Sequence, residues 1–264
     1  MQPFCFERLP VITTLLSPRL AEPLFACWSN VIVQACLQGT MGTVYAPYTG
    51  HEPRSAVEML GDFAFYGGEP TAEVAQWRPN RSGVAPTIAV GCSPAWDPYL
   101  EQAWGAPAKL VTRYAFASHD TAFDCGHLET LASAIPAGYE LAPIDESLYD
   151  RCRSASWSRD FVANFSSYGL YAERGRGWVA LYQGEPVAGA SSYVSSLTGI
   201  EVQVETVVSH RRQGLARACS ARLIHDCLDQ DIHPSWDAAN EASARLAQQL
   251  GYGSPQAYRA YTLG

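Results

Sequence analysis

Hydrophobic and polar residues alternate most regularly in Ile200-Glu201-Val202-Gln203-Val204-Glu205, and the β-branched run Thr206-Val207-Val208 follows. A period of two predicts a half-buried strand that runs on into a core. After Ser209-His210 the chain turns through Arg211-Arg212-Gln213-Gly214-Leu215-Ala216. Leu215, Cys219, Leu223 and Cys227 then recur every fourth position, with Ile224 and Leu228 beside them, which predicts a helix with one buried face. A strand, a turn over one glycine and a helix start leave unpaired backbone N–H groups and a partial positive charge facing outward. Such a turn suits an anion, a phosphate above all.

The same reading extends to the rest of the second half, where the predicted order is β-α-α-β-β-β-α-β-α-β. Tyr139 to Ile144 reads as a strand, and Asp145 or Ser147 caps a helix toward Arg153. Trp157 to Phe165 reads as a second helix, with Trp157, Phe161, Val162 and Phe165 on one face. Gly177–Gln183 and Val187–Val194 form a hairpin about Gly184-Glu185. After the helix of residue 215 come a short strand at Ile232–Trp236, a helix at Asn240–Leu250 and a closing segment at Tyr258–Leu263. In the first half, Leu20 to Leu37 fits a buried helix that Gly39 ends. Short strands are expected at 42–45, 61–68, 87–90 and 110–116, with helices near 72 and at 96–105. Leu128 to Gly138 reads as a helix whose Pro136-Ala137-Gly138 end marks a boundary. The expectation is an α/β (α+β) protein with an N-terminal mixed α/β domain over 1–130 and a second domain over 137–264. Trp96-Asp97 and Trp236-Asp237 each precede a helix and a glycine, but at different spacings, so no repeat is evident.

Composition narrows the function classes. The chain has 264 residues, 47% hydrophobic and 17% charged, enough for a core and without a disorder signature. A net charge of -8, with no basic run beyond Arg211-Arg212, argues against nucleic acid or an anionic membrane as partner. It leaves small molecules open, cationic ones included. No apolar stretch reaches the ~18 residues of a membrane helix, and no secretory signal is visible, so a cytoplasmic protein is expected. The eight cysteines form no Cys-x-x-Cys pair, and Cys219 and Cys227 fall on a buried helical face. His51, Asp62, His119, Asp124 and His127 match no metal spacing, and no metal is expected. Phe63, Phe65 and Tyr66 read as aromatic core.

Arg211-x-x-Gly214-x-Ala216 at a strand-to-helix turn resembles the acyl-CoA pyrophosphate loop of the GNAT acetyltransferases. A helix and a strand later, Asn240-x-x-Ser243-x-x-Leu246-Ala247-x-x-Leu250-Gly251-Tyr252 is similar to the Asn…Leu-Gly-Phe helix of that superfamily. Ile200-Glu201, Glu205-Thr206 and Pro234-Ser235-Trp236-Asp237-Ala238-Ala239-Asn240 resemble one subfamily, the zwittermicin A resistance-type enzymes. So do Gly42-Thr43-Val44-Tyr45, Gly61-Asp62-Phe63 and Thr112-Arg113-Tyr114-Ala115-Phe116 upstream.

The resemblance implies a GNAT fold with a splayed central sheet over 137–264. It also implies transfer of an acetyl group from acetyl-CoA, as cosubstrate, to a primary amine of a small molecule, by a monomer or homodimer. By the same implication, backbone groups of Thr206, Val207 and Val208 pair with the pantetheine arm. The turn and helix start, Arg211, Arg212, Gln213, Gly214, Leu215, Ala216 and Arg217, hold the pyrophosphate. Asn240 either caps its helix or, with Ser243, meets the cofactor arm. Amine attack needs a base, and Glu205 is the candidate on the polar face of the strand. Many GNAT enzymes place a Tyr where this chain has Ala247, so either Ser243, Tyr252, Tyr258 or Tyr261 protonates the thiolate or the thiolate leaves unassisted. The competing expectation is a non-catalytic acyl-CoA-binding or regulatory protein. A Walker-type phosphate loop is excluded, because its Lys-Ser/Thr is missing.

Overall fold

The structure is a computed structural model that describes residues 11–28, 30–47, 52–79, 85–117 and 121–263. His51 and His119 lie outside the described residues. The chain divides into two compact units. One comprises 1–28, 36–111 and 259–264, the other 29–35 and 112–258. The split differs from a cut at 130/137: helix 125–133 belongs to the second unit, and the last residues of the chain belong to the first.

In the first unit β1 (Ile12–Thr14), β2 (Thr43–Pro47), β3 (Ser55–Leu60) and β4 (Phe63–Gly68) are antiparallel neighbours. Helix α1 (Val31–Gln38), whose first five residues belong to the second unit, precedes β2, and α2 (Ala72–Gln76) follows β4. Next come β5 (Ile88–Gly91), parallel to β4, and α3 (Asp97–Trp104). The expected helix over 20–37 is instead a 3-10 stretch at Pro18–Phe25 and then α1. Pro23 lies inside that stretch and offers no N–H for an α-helical bond. Tyr66, Trp96 and Leu100 centre this core.

β6 (Ala108–Phe116) leads out of the first unit, and α4 (Cys125–Ser133) opens the second. There β7 (Tyr139–Pro143), β8 (Gly177–Tyr182), β9 (Glu185–Ser195) and β10 (Gly199–Thr206) run antiparallel in that order. Between β7 and β8 stand α5 (Glu146–Ser154), capped by Asp145, and α6 (Tyr168–Arg174), capped by Ser167. The helix expected at 157–165 is only a 3-10 turn at Arg159–Phe161. Phe161, Val162 and Phe165 are buried as their spacing required, but the Ser158 hydroxyl bonds the Cys152 carbonyl and folds the segment back on α5.

Helix α7 (Leu215–Leu228) follows β10, and β11 (His233–Ser235) pairs parallel to β10. β12 (Asp237–Ala238) pairs with the end of β6, and α8 (Glu241–Leu250) and β13 (Pro255–Leu263) close the chain. Residues 261–262 of β13 pair with β5 in the first unit. The buried face of α7 is the expected one, with Leu215, Cys219, Leu223 and Cys227 all inside the core. Burial pushes the thiols of Cys219 and Cys227 up to about 12.

The same order of elements occurs twice. A strand, a helical stretch, three antiparallel strands, a helix, a strand parallel to the third of these, and a helix make up both β1–α3 and β7–α8. Trp96-Asp97 and Trp236-Asp237 stand at matching places, after β5 and after β11. The repeat lies in topology and is almost erased in sequence.

Candidate functional site

β10 and β11 pair only over Gly199↔His233, Ile200↔Pro234 and Glu201↔Ser235. Beyond that rung β10 continues to Thr206 with β9 along one edge and its other edge open. Gly199 permits the close approach that starts this parallel pairing, since a Cβ there would lie 2.7 Å from the His233 carbonyl oxygen.

The open edge leads into a cleft of about 710 Å³. It is lined by Val204, Glu205 and Thr206 of β10, by the turn at His210 to Arg212 and Gly214 to Arg217 but not by Gln213, and by Ser243, Leu246 and their neighbours on α8. Gly214 sits at the start of α7 with φ +81°, a left-handed conformation that favours glycine, and Arg212 shares it with φ +66°. No side chain caps α7 among the described residues, so its first N–H groups keep their capacity for an anion. The Arg217 Nε is buried without a hydrogen-bond partner beside this turn. Such an arrangement suits a phosphate-bearing ligand lying along a strand edge.

The candidate residues divide by environment. Glu205 stands 3.1 Å from the Arg211 guanidinium and also accepts the Thr206 N–H, while the Arg211 Nε donates to the Thr206 carbonyl. The Val207 N–H is bonded to Val187 on β9, and Val208 is exposed. Gln213 accepts the Tyr139 hydroxyl, which also lies 2.8 Å from His210 Nδ1. Asn240 is the N-cap of α8, its Oδ1 accepting the Ser243 N–H. Ser243 lines the cleft and its hydroxyl accepts the Trp236 indole N–H. Ala247 is fully buried in the core, on the side of α8 with Ala244 and Leu250. The Tyr252 hydroxyl donates to the Pro234 carbonyl, and Tyr261, in the first unit, donates to Glu101.

Tyr258 belongs to a separate buried network. Its hydroxyl donates to Asp237 at 2.5 Å, and Asp237 is paired at 2.8 Å with Arg113 from β6. Burial raises the Asp237 carboxyl, with Arg113 and Tyr258 acting against that rise. Burial and Asp237 together hold the Tyr258 phenol well above its ordinary range. Glu201 lies beside this network, 3% exposed. Neither of its oxygens has a well-aligned partner among the described residues, although Ser235 and the Asp237 backbone are near enough to favour its charged form. Burial first, and then the Asp237 charge, push its carboxyl up to about 8. The sequence places Glu201 in the alternating strand and in the family resemblance without giving it a role of its own. Its one available signal was a carboxylate early in an otherwise deepening strand.

Of the other flagged residues, Asp124 caps α4, His127 meets the Gln249 carbonyl, and the Asp62 carbonyl accepts from Thr87 and Ile88. Among the described residues no helix is long and apolar enough to cross a membrane.

A mixed sheet split between two strands, with a glycine turn opening a helix beside the split, defines the class of this α/β fold. A family model described as GNAT acetyltransferase matches residues 22–261, and the chain belongs to that family. A curated relative, the uncharacterized N-acetyltransferase YdfB of Bacillus subtilis, is 27% identical over 174 residues. That match covers 65% of this chain and 64% of the relative, so the chain spans less than two thirds of its length. The crystal structure of a GCN5-related N-acetyltransferase-like protein from Streptococcus suis 89/1591 is 38% identical. It superposes with a TM-score of 0.86, over 93% of this chain and 98% of that one. A tandem GNAT protein from the clavulanic acid biosynthesis pathway shares the fold alone, at 11% identity and a TM-score of 0.52, over 96% of this chain and 97% of that one.

Proposed function

We propose that this protein is an acetyl-CoA-dependent N-acetyltransferase that moves the acetyl group directly to a primary amine of a small molecule. The observation that carries the reading is the open edge of β10 running into the arginine-lined turn at the start of α7. The pantetheine arm lies along that edge as an added strand would, from Thr206 back toward Val204, because the backbone groups of Val207 and the Val208 carbonyl are already bonded within the protein. The pyrophosphate rests on the N–H groups from Arg212 to Arg217, with Arg217 and Arg212 as its cationic partners. Arg211 is fixed by Glu205 and shapes the turn. Ser243, on the facing helix, is the hydroxyl placed to meet the cofactor arm and the leaving thiolate. The seven described cysteines are all free thiols, in keeping with a cytoplasmic enzyme. The resemblance of the 199–261 segment to the zwittermicin A resistance-type enzymes points the acceptor toward an antibiotic or a related metabolite.

A second reading, an acyl-CoA-binding or regulatory protein without turnover, is favoured by one observation. Ala247 is buried in the core, so the tyrosine many relatives use is missing and its place does not face the cleft. The experiment is release of free thiol from acetyl-CoA across a panel of small primary amines, with CoA-induced thermal stabilisation measured alongside. Amine-dependent thiol release supports the enzyme. Stabilisation by CoA with no release on any amine supports the binder.

A further inference from the structure

We propose that Cys27 and Cys92 of the first unit form a reversible redox site, in which hydrogen peroxide oxidises Cys27 and Cys92 then closes a disulfide onto it. Every residue involved belongs to the first unit and none lines the cleft, so this site stands or falls apart from the acyltransfer reading.

Local packing brings the two residues together. Cys92 directly follows β5, and its N–H bonds the Tyr66 carbonyl, which fixes its backbone against the sheet. Cys27 follows the 3-10 stretch Pro18–Phe25, and its neighbours hold it from both sides. The Leu24 carbonyl and the Phe25 ring close over Gly67 near the end of β4, where a Cβ would meet them at 2.7 and 2.8 Å. The Trp28 ring stands edge-on to Phe65 of β4, with centroids 5.6 Å apart. Between these anchors the Cys27 thiol donates to the Cys92 carbonyl at 3.2 Å, and the two side chains act on each other directly. Two cysteines are bridged without a shift of the backbone only when it already holds them close.

Exposure divides the roles. Cys27 is exposed, Cys92 half-buried and Cys36 buried, so an oxidant from solution reaches Cys27 first. Burial first, then the Cys27 thiol and the Glu58 carboxyl, push the Cys92 thiol up and keep it protonated. What Cys92 lacks as a nucleophile it gains from standing beside the sulfur it attacks. Glu58 is 1% exposed, and neither of its oxygens has a hydrogen-bond partner among the described residues. Its carboxyl acts against the thiolate of Cys36 as well as that of Cys92. A dithiol whose thiolate is not stabilised gives up little on oxidation, which favours the closed form.

The oxidation balances in two steps. The Cys27 sulfur attacks one peroxide oxygen and the O–O bond breaks. The departing hydroxide takes the thiol proton as water, and Cys27 becomes a sulfenic acid. The Cys92 sulfur then attacks the Cys27 sulfur and the S–O bond breaks. Hydroxide leaves with the Cys92 proton as a second water, and the S–S bond is formed. A dithiol reductant restores both thiols through a mixed disulfide and is itself oxidised to a disulfide.

The test treats the full chain with a few equivalents of hydrogen peroxide, blocks the remaining thiols and maps the peptides by mass spectrometry without reduction. The expected product joins the Cys27 and Cys92 peptides, is lost on adding dithiothreitol, and is absent from Cys27→Ser and Cys92→Ser. The bond joins residues 65 apart in sequence, so the oxidised protein melts about 5 °C or more above the reduced one. Dithiothreitol reverses that shift, and Cys27→Ser does not show it. Cys27 recovered as a sulfinic acid, or linked to any other cysteine, overturns the proposal. So does Cys27 left reduced at a peroxide dose that oxidises the exposed Cys125. The peptide map needs only wild type, so it decides the matter even where a variant fails to fold.

Discussion

Glu201 on β10 faces Ser235 on β11 across the last rung before the two strands separate. Because β9 stays paired with β10 as far as Thr206, the sheet does not end at this rung but splits along one edge. Hydrogen-bonding groups of the strand are thereby offered to a ligand without loss of the sheet that holds them. The split, the turn at Gly214 and the buried acid lie within fourteen residues of sequence, in a single strand-turn-helix unit.

The Arg113–Asp237 pair is almost wholly buried, with side chains 11% and 3% exposed. Removing one partner leaves an uncompensated charge inside the protein, which typically costs about 3–5 kcal/mol. Arg113→Met should therefore lower the unfolding free energy by that order in urea melts. Asp237→Asn on the same background should recover part of the loss, as a double-mutant cycle would register.

Stability should fall as pH rises from about 5 to about 8. Glu201 has a folded value near 8, and burial also raises Glu58 and Asp237. A carboxyl raised on folding makes its full contribution below its unfolded value. That contribution is lost as pH climbs from the unfolded value to the folded one, because the unfolded chain ionises there while the folded state still holds the proton. Thermal melts across this range should show a falling Tm, and Glu201→Gln should flatten the fall. A Tm that climbs with pH contradicts the assignment.

The two strand carboxylates should separate by readout. Glu205 and Arg211 are 39% and 54% exposed, and such a pair contributes at most about 1 kcal/mol. Glu205→Gln should weaken CoA binding by about fivefold or less. A large loss of kcat with unchanged CoA binding would instead mark Glu205 as the base.

The second unit was the more legible in sequence. Its order of elements, the buried face of α7 and the caps at Asp145 and Asn240 follow from alternation, fourfold spacing and local side-chain bonds. The 157–165 segment misled because compact turns can bury the same positions as a helix. The pairing of β13 with β5, and the environment of Glu201, escaped the sequence for one reason. Both depend on partners distant in the chain: β5 for β13, and β11, β12 and β6 for Glu201. Local periodicity carries no record of such contacts.

The topological repeat predicts one CoA per chain, not two. In the first unit β4 and β5 stay paired from Phe63↔Ile88 to Tyr66↔Gly91, and the Cys92 N–H extends the ladder to the Tyr66 carbonyl. Beyond that ladder Gly67 is closed over by the Leu24 carbonyl and the Phe25 ring. The following helix has five residues, is capped by Thr71 and carries Glu73 in its first turn. Saturation near two equivalents would contradict this account of the first unit.

Calorimetric titration of CoA into wild type and Gly214→Val tests the location of the cofactor most directly. A Cβ at residue 214 meets only the Arg217 guanidinium, at 3.6 Å, so the variant acts through its backbone at φ +81° rather than through a clash. A β-branched residue held there costs about 1–2 kcal/mol or reshapes the turn. The account predicts one site per chain in wild type and affinity at least about tenfold weaker in the variant. Equal affinity in the two proteins, or no binding to wild type, would contradict it.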